Sequence, residues 1–298
     1  MQSTVRHRLL LVAAALLFST GGAAIKAANL GGWQIACFRS GIAAIALLAA
    51  LPGARRGWNL RTALVAVAYA ATLILFVLAN RLTTSANAIF LQATAPLYVL
   101  LLGPLLLGEP IRRADVVYIA AVGAGMSLFF TGAERALTTA PDPARGNVLA
   151  LASGITYAVM LVGLRWMAGR GDRDAGVATV AAGNVLAFAA ALYPALPIPE
   201  FSARDAAVLV YLGVAQIGLA YWCLTVGIRH VPAFEATTTL QLEVAMNPIW
   251  TWLVHGERPA IRALAGGAVI VCATLVNTWR QRSVSAGSSP VVLQRNQG

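Results

Sequence analysis

Apolar residues in this chain run almost unbroken for about twenty positions, stop at a short polar or glycine-rich connection, and then run again. About 20 residues is the length a helix needs to cross the hydrocarbon core of a bilayer. The runs fall at about 9–28, 32–51, 62–80, 85–107, 115–132, 147–168, 175–193, 206–228, 233–254 and 262–279. The pattern therefore predicts an all-α integral membrane protein of ten transmembrane helices. The longest connection, 133–146, contains Pro141, Asp142 and Pro143 and separates 1–132 from 147–282, five spans on each side. Residues 283–298 are rich in Ser, Gly and Gln and predict a disordered tail. Arg6-His7-Arg8, a short apolar run and Gly22-Ala23-Ala24 resemble a signal peptide. The apolar stretch continues past Ala24, interrupted only by Lys26, so the segment reads as an uncleaved first span.

Composition narrows the class further. The 298 residues are 59% hydrophobic and 11% charged, with a mean hydropathy of +0.73. Soluble domains carry about 25% charged residues, so a water-facing globule and a disordered chain are both excluded. Lys and Arg number 22 against 11 acids, a net charge of +11. The arginines cluster between apolar runs rather than on one folded patch, which argues for topology and against nucleic acid. For ten spans, one side collects Arg6, Arg8, Arg55, Arg56, Arg61, Arg112, Arg113, Arg165, Arg170, Arg173, Arg229, Arg280, Arg282 and Arg295, 14 in all. The other side has Arg81, Arg135, Arg145, Arg204, Arg258 and Arg262, which is 6. Excess positive charge marks the cytoplasmic side, so both termini are expected there, in a bacterial inner membrane. Cys37, Cys223 and Cys272 lie in apolar runs and read as buried free thiols. His7, His230 and His255 have no ligand spacing, so neither metal nor cofactor is expected.

The halves echo each other at an offset of 148: Leu107-Gly108-Glu109 stands opposite His255-Gly256-Glu257, and Arg81 opposite Arg229. Five spans is an odd number, so the second copy inserts upside down. Two inverted five-helix repeats around a midplane site are a common architecture of secondary transporters.

Short motifs carry a family resemblance. They are Phe18-Ser19-Thr20-Gly21-Gly22 with Ile25-Lys26-Ala27-Ala28, Phe38-Arg39, and Ala95-Pro96 with Leu107-Gly108-Glu109. In the second half they are Gly146-Asn147, Ile155-Thr156-Tyr157-Ala158, Tyr211-Leu212-Gly213, Leu242-Glu243-Val244 and Gly256-Glu257. On these the chain resembles a ten-span member of the drug/metabolite transporter superfamily, EamA type, most of all the amino-acid and metabolite exporters. It departs from the pattern at Phe18, where Trp is common, and at Val244, where Pro is common, with Pro248 four residues later.

An ionisable group at mid-membrane costs about 2.5–3.5 kcal/mol on insertion scales, so Lys26, Arg39 and Glu243 each call for a reason. Thr239, Glu243, Asn247 and Trp250 recur at helical spacing and form one polar stripe. Glu243 either contacts a cationic substrate group, or cycles a proton, or pairs structurally with a neighbour such as Arg39. Gln92, Gln241 and Tyr98 could hydrogen-bond a polar solute or tie helices together. Tyr157, matching the family's aromatic position in the sixth span, and Trp222 are the aromatic candidates for substrate contact. Lys26 either snorkels to the outer interface or neutralises a substrate carboxylate. For Arg39 the resemblance implies a structural anchor. Pro96 and Pro248 each leave a carbonyl without its helical partner and are candidate hinges.

The expected function is a secondary transporter exporting small organic solutes, amino acids or related metabolites, by alternating access. Its partners would be that solute and the surrounding lipid, and a monomer would suffice. The alternative is a cation-selective multidrug/proton antiporter. An integral membrane enzyme fits less well, because one mid-membrane carboxylate without a His partner is a poor acid–base set.

Overall fold

In hydrocarbon no water satisfies backbone N–H and C=O groups, so apolar runs of this length are driven to close their hydrogen bonds internally as helices. The computed structural model describes residues 2–106, 111, 113–131, 136–168, 175–198, 200–228, 231 and 233–287. Among them there is no strand beyond one Leu137–Ala140 bridge. The Leu107-Gly108-Glu109 anchor, the Arg229 that stands opposite Arg81, and Arg112, Arg135, Arg170, Arg173 and Arg295 lie outside the described residues.

Several expected spans are interrupted helices. The first comprises α1 (Gln2–Ser19) and α2 (Gly21–Ala27). Around the break Ser19 and Thr20 donate their hydroxyls to the carbonyls of Leu16 and Leu17, both at 2.7 Å, a back-bonding that bends helices. Next come α3 (Gly32–Ala50) and α4 (Leu60–Leu82), the latter capped by Asn59, which accepts from the Thr62 N–H at 3.0 Å. The fourth expected span is α5 (Ser85–Gln92) followed by α6 (Ala95–Leu106). The break falls where Pro96 offers no N–H to the carbonyl of Gln92. After α7 (Arg113–Ser127), α8 (Pro143–Ala168) and α9 (Ala175–Leu192), the eighth expected span reads α10 (Ala203–Val210), a π-helical stretch Tyr211–Leu219, and α11 (Ala220–Ile228). Helix α12 (Ala233–His255) passes through Pro248 unbroken. It ends at Gly256, whose φ of 65° supplies the left-handed turn of a helix C-terminus. Helix α13 (Ile261–Gly287) runs a turn further than the tail boundary expected at 283.

Seven segments among the described residues are long and apolar enough to cross a membrane: Val5–Ala27, Gly32–Ala50, Leu60–Leu82, Ser85–Pro104, Pro143–Met167, Ala203–Gly227 and Ile261–Arg280. Asp115–Ser127 and Gly176–Leu192 are shorter apolar helices. Helix α12, 23 residues long, is not one of the seven; it carries a threonine run, Gln241, Glu243 and Asn247.

Two pairs of contacts orient the bundle. Arg8 pairs with Glu235 near the starts of α1 and α12, and Lys26 in the last turn of α2 pairs with Glu257 just past the end of α12, so the first span runs parallel to α12. Arg280 meets Asp115, while Arg262 donates to the carbonyl of Thr131 at 2.7 Å, so α7 and α13 are antiparallel. The start of α1 and the last turns of α13 thus share one end of the bundle, called here the terminal end. The α2–α3, α4–α5 and α12–α13 connections lie at the opposite end. Helix α4 packs on α8 and α9, α3 on α9 and the π-helical stretch, and α1 on α11 and α12. Likewise α5 and α6 pack on α8, and α7 on α13. Leu47, Tyr69, Met160, Val180 and Ile217 form one core; Phe90, Tyr118, Val122, Phe129 and Ile270 form another. Large apolar side chains such as Leu64, Val67, Trp252, Leu253 and Val276 face outward, as expected where the surrounding solvent is lipid.

Candidate functional site

The first core is where the bundle gathers its mid-span charges. Arg39, halfway along α3, is buried, 2% exposed, and its Nε and Nη1 find no hydrogen-bond partner. The ring of Tyr69 from α4 and that of Tyr221 from α11 stand within its electrostatic reach. These two rings meet edge to face, centroids 6.2 Å apart at 81°, and Tyr221 makes a second edge contact with Phe18 of α1 at 5.1 Å. Tyr69 is also close to Asn184 of α9, and both side chains are buried.

Glu243 approaches the same rings from α12. It lies within electrostatic reach of Tyr157 on α8 and of Tyr221. Ion pairs between described residues are Arg8–Glu235, Lys26–Glu257, Arg145–Asp142 and Arg280–Asp115. Neither Arg39 nor Glu243 belongs to any of them, so the structural pair considered for these two does not form. One cation and one carboxylate therefore face a shared tyrosine cluster, neither in an ion pair among the described residues. A buried polar group without a partner costs about 1–3 kcal/mol, more when charged.

Glycine makes the close packing possible. A Cβ on Gly183 of α9 would stand 2.3 Å from the Tyr69 ring and 3.1 Å from the carbonyl of Ala66. Gly183 thus lets α9 press directly on the ring that faces Arg39. At the α5–α6 break, a Cβ on Gly154 would meet the carbonyls of Leu91 and Gln92 at 3.1 and 3.3 Å. Helix α8 lies against the carbonyls that Pro96 and the turn release.

The remaining candidates disperse. Gln92 donates to Ser153 Oγ at 2.7 Å, Ser153 to the carbonyl of Thr72, and Thr72 to Thr156 at 2.9 Å. Gln92 is therefore engaged in tying α5 to α8. Trp250 donates to Ser19 Oγ at 2.8 Å, fastening α12 to α1. Asn247 is fully buried against α2, its amide unpartnered. A Cβ on Gly22 would stand 2.6 Å from its Oδ1. Gln241 is half-buried on α12, and Trp222 is 36% exposed. Tyr98 packs in the second core, away from the tyrosine cluster. Lys26 neither snorkels nor reaches the cluster. Its side chain is 2% exposed and is held by Glu257 and by the carbonyls of Thr83 and Thr139. Pro96 begins a half-helix, whereas Pro248 sits within a continuous one.

Arg39, Tyr69 and Tyr221 belong with Glu243 and Tyr157, yet only the last two stood out as site candidates in the sequence. Arg39 offered a signal in its cost at mid-span. Tyr69 and Tyr221 look like ordinary membrane aromatics until the helices are packed.

The EamA-like transporter family matches residues 7–131 and 144–279. The chain belongs to that family. It is accordingly a multi-pass membrane transporter of the drug/metabolite transporter superfamily, and its central charges sit in a transport protein. A search of the curated proteins finds no match. A solved structure described only as the crystal structure of a protein matches with a TM-score of 0.60 at 19% identity, covering 93% of this chain and 98% of that one. The overall fold of this EamA-like protein is thus one already seen in a crystal.

Proposed function

We propose that this EamA-like protein is a secondary transporter exporting small zwitterionic solutes, amino acids or related metabolites, across a bacterial inner membrane. The carrying observation is the pair of unpaired opposite charges, Arg39 and Glu243, on a common tyrosine cluster. A solute carboxylate would complete Arg39, whose planar fork suits that group, and a solute ammonium would complete Glu243. The three tyrosines would flank the carbon skeleton between them.

Alternating access by two inverted repeats is part of this reading. The two family matches, 7–131 and 144–279, support two copies of one unit. The packing supports it too: exchanging the first half's spans with the second's turns the α1–α12 contact into α5/α6–α8, and α1–α11 into α4–α8, all of which occur. We read ten crossings, with α7, α9 and α12 completing the seven apolar spans. The arginine bias puts the terminal end in the cytoplasm. A monomer contains the whole site.

A second reading, a cation-selective antiporter, draws on the same tyrosines, because aromatic faces attract cations and Glu243 would supply the charge. Arg39 separates the two. Counterflow in proteoliposomes, with labelled amino acids set against quaternary amines, tests the proposal. Amino acids should exchange, and Glu243→Gln and Arg39→Gln should each reduce that exchange about ten-fold or more, the equivalent of 1.4 kcal/mol or more. Exchange of quaternary amines that survives Arg39→Gln would select the second reading.

A further inference from the structure

We infer that the buried Lys26–Glu257 pair is a latch that closes the end of the bundle opposite the chain termini. This rests on the alternating-access reading but concerns a different part of the molecule. The two residues stand 231 positions apart in the chain, one closing α2 and the other just beyond α12. The Lys26 Nζ lies 2.9 Å from Glu257 Oε2, and the side chains are 2% and 1% exposed. Besides this ion pair, the Lys26 ammonium donates to the Thr83 carbonyl at 2.9 Å and to the Thr139 carbonyl. Glu257 accepts in turn from the Ser85 N–H at 2.7 Å. One ion pair thereby joins four segments: the end of α2, the α4–α5 turn, the connection between the halves, and the α12–α13 turn.

The surroundings are built to the same purpose. His255 hydrogen-bonds the Ala23 carbonyl at 2.8 Å, and Arg81 donates to the Ala28 carbonyl at 3.2 Å. Gly22 brings α2 against both Ser85 and Asn247, where a Cβ would meet oxygen atoms at 2.7 and 2.6 Å. Ser85 donates to Asn80 at 2.9 Å and is itself fully buried. Polar, buried contacts therefore join the two halves at this end. The charges at the other end of the same helices contrast with them. Arg8 and Glu235 form an ion pair that is 52% and 34% exposed. A solute leaving the tyrosine cluster towards the latch end must part α2 and the α4–α5 turn from the α12–α13 turn. That movement pulls Lys26 from Glu257. Hydration then replaces the carboxylate and the two carbonyls, so the pair holds the closed state without making opening irreversible. Because Lys26 is the sole lysine of the chain, no neighbouring lysine can substitute for it.

The test reads closure rather than transport. With Cys37, Cys223 and Cys272 replaced by alanine, Ser85→Cys places a thiol beneath the latch. A membrane-impermeant methanethiosulfonate is then applied from the face opposite the termini. The thiol should be protected with the latch intact. It should label at least ten-fold faster in Glu257→Gln and in Lys26→Met, and return towards protection in the swapped Lys26→Glu/Glu257→Lys protein. Equal labelling rates in the intact protein and the single variants would overturn the latch. Should a single variant fail to fold, Lys26→Cys/Glu257→Cys decides. Oxidative cross-linking should stop counterflow and reduction restore it, whereas counterflow that continues when cross-linked overturns the proposal. A responsive latch in a protein that exchanges none of the solutes tried would leave the latch standing and remove the zwitterion reading instead.

Discussion

Arg39 is the residue on which a structural and a functional account diverge most. A structural anchor would have a partner, and removing it would leave that partner stranded. Arg39 has no counter-charge among the described residues, and two of its nitrogens are unsatisfied. Replacing an unpartnered buried charge with an apolar side chain is often neutral or stabilising. Arg39→Met is therefore expected to melt no lower than the wild type in detergent while losing about ten-fold or more of its exchange activity, given about 1.5–3 kcal/mol for a hydrogen bond to a charged group. A melting temperature lowered by several degrees would return Arg39 to the scaffold. The sequence made Glu243 legible, because it is the one acid at the middle of a run. It did not reveal Glu257 as the partner of Lys26, since each sits at a run's edge, where charge needs no explanation. Nor did it show which way Arg39 faces, because α3 is apolar on almost every side and its rotation is set by packing on α9.

Among elements, the break in the fourth expected span was readable and the others were not. Pro96 removes a donor, and the helix parts at the carbonyl it would have served. Pro248 removes one too, yet α12 absorbs the loss, so proline alone does not determine whether a helix opens. The bend at Thr20 and the π-helical stretch at Tyr211–Leu219 have no proline; the first coincides with side-chain back-bonding and the second with close packing on α3, where a Cβ on Gly213 would stand 2.5 Å from Ile42. Glycines test this packing in opposite directions. Gly183→Ala should cost about 1–3 kcal/mol through overpacking against Tyr69 and weaken solute binding as that ring shifts. Gly123→Ala, with nothing within 4 Å of its Cβ, should gain about 0.5–1 kcal/mol from helix propensity alone. Thermal unfolding of the two variants beside the wild type checks both signs.

At the scale of the whole molecule, the apolar runs anticipated the helices among the described residues to within a few residues at most ends, because the span of a bilayer is a length that sequence records directly. How the halves interleave was not readable. Which span faces which depends on long-range contacts, and the one repeated motif marks only run ends. The proposed orientation has its own check. In the cysteine-free background, Trp58→Cys and Ala203→Cys lie at opposite ends of the bundle, both exposed. An impermeant thiol reagent applied to intact cells should label position 203 and spare position 58. The reverse pattern would turn the protein over.

On the proposed reading one site takes both poles of a zwitterion, and binding competition in the purified protein separates the poles. An amino acid that exchanges in proteoliposomes would be displaced by itself, by the amine lacking its carboxylate, and by the acid lacking its ammonium. Each single-pole analogue should compete at least about ten-fold more weakly than the parent, each pole being worth about 1.4 kcal/mol or more. Arg39→Gln should close the gap between the parent and the amine, and Glu243→Gln the gap between the parent and the acid. An amine that competes as well as the parent against the wild type would contradict the account.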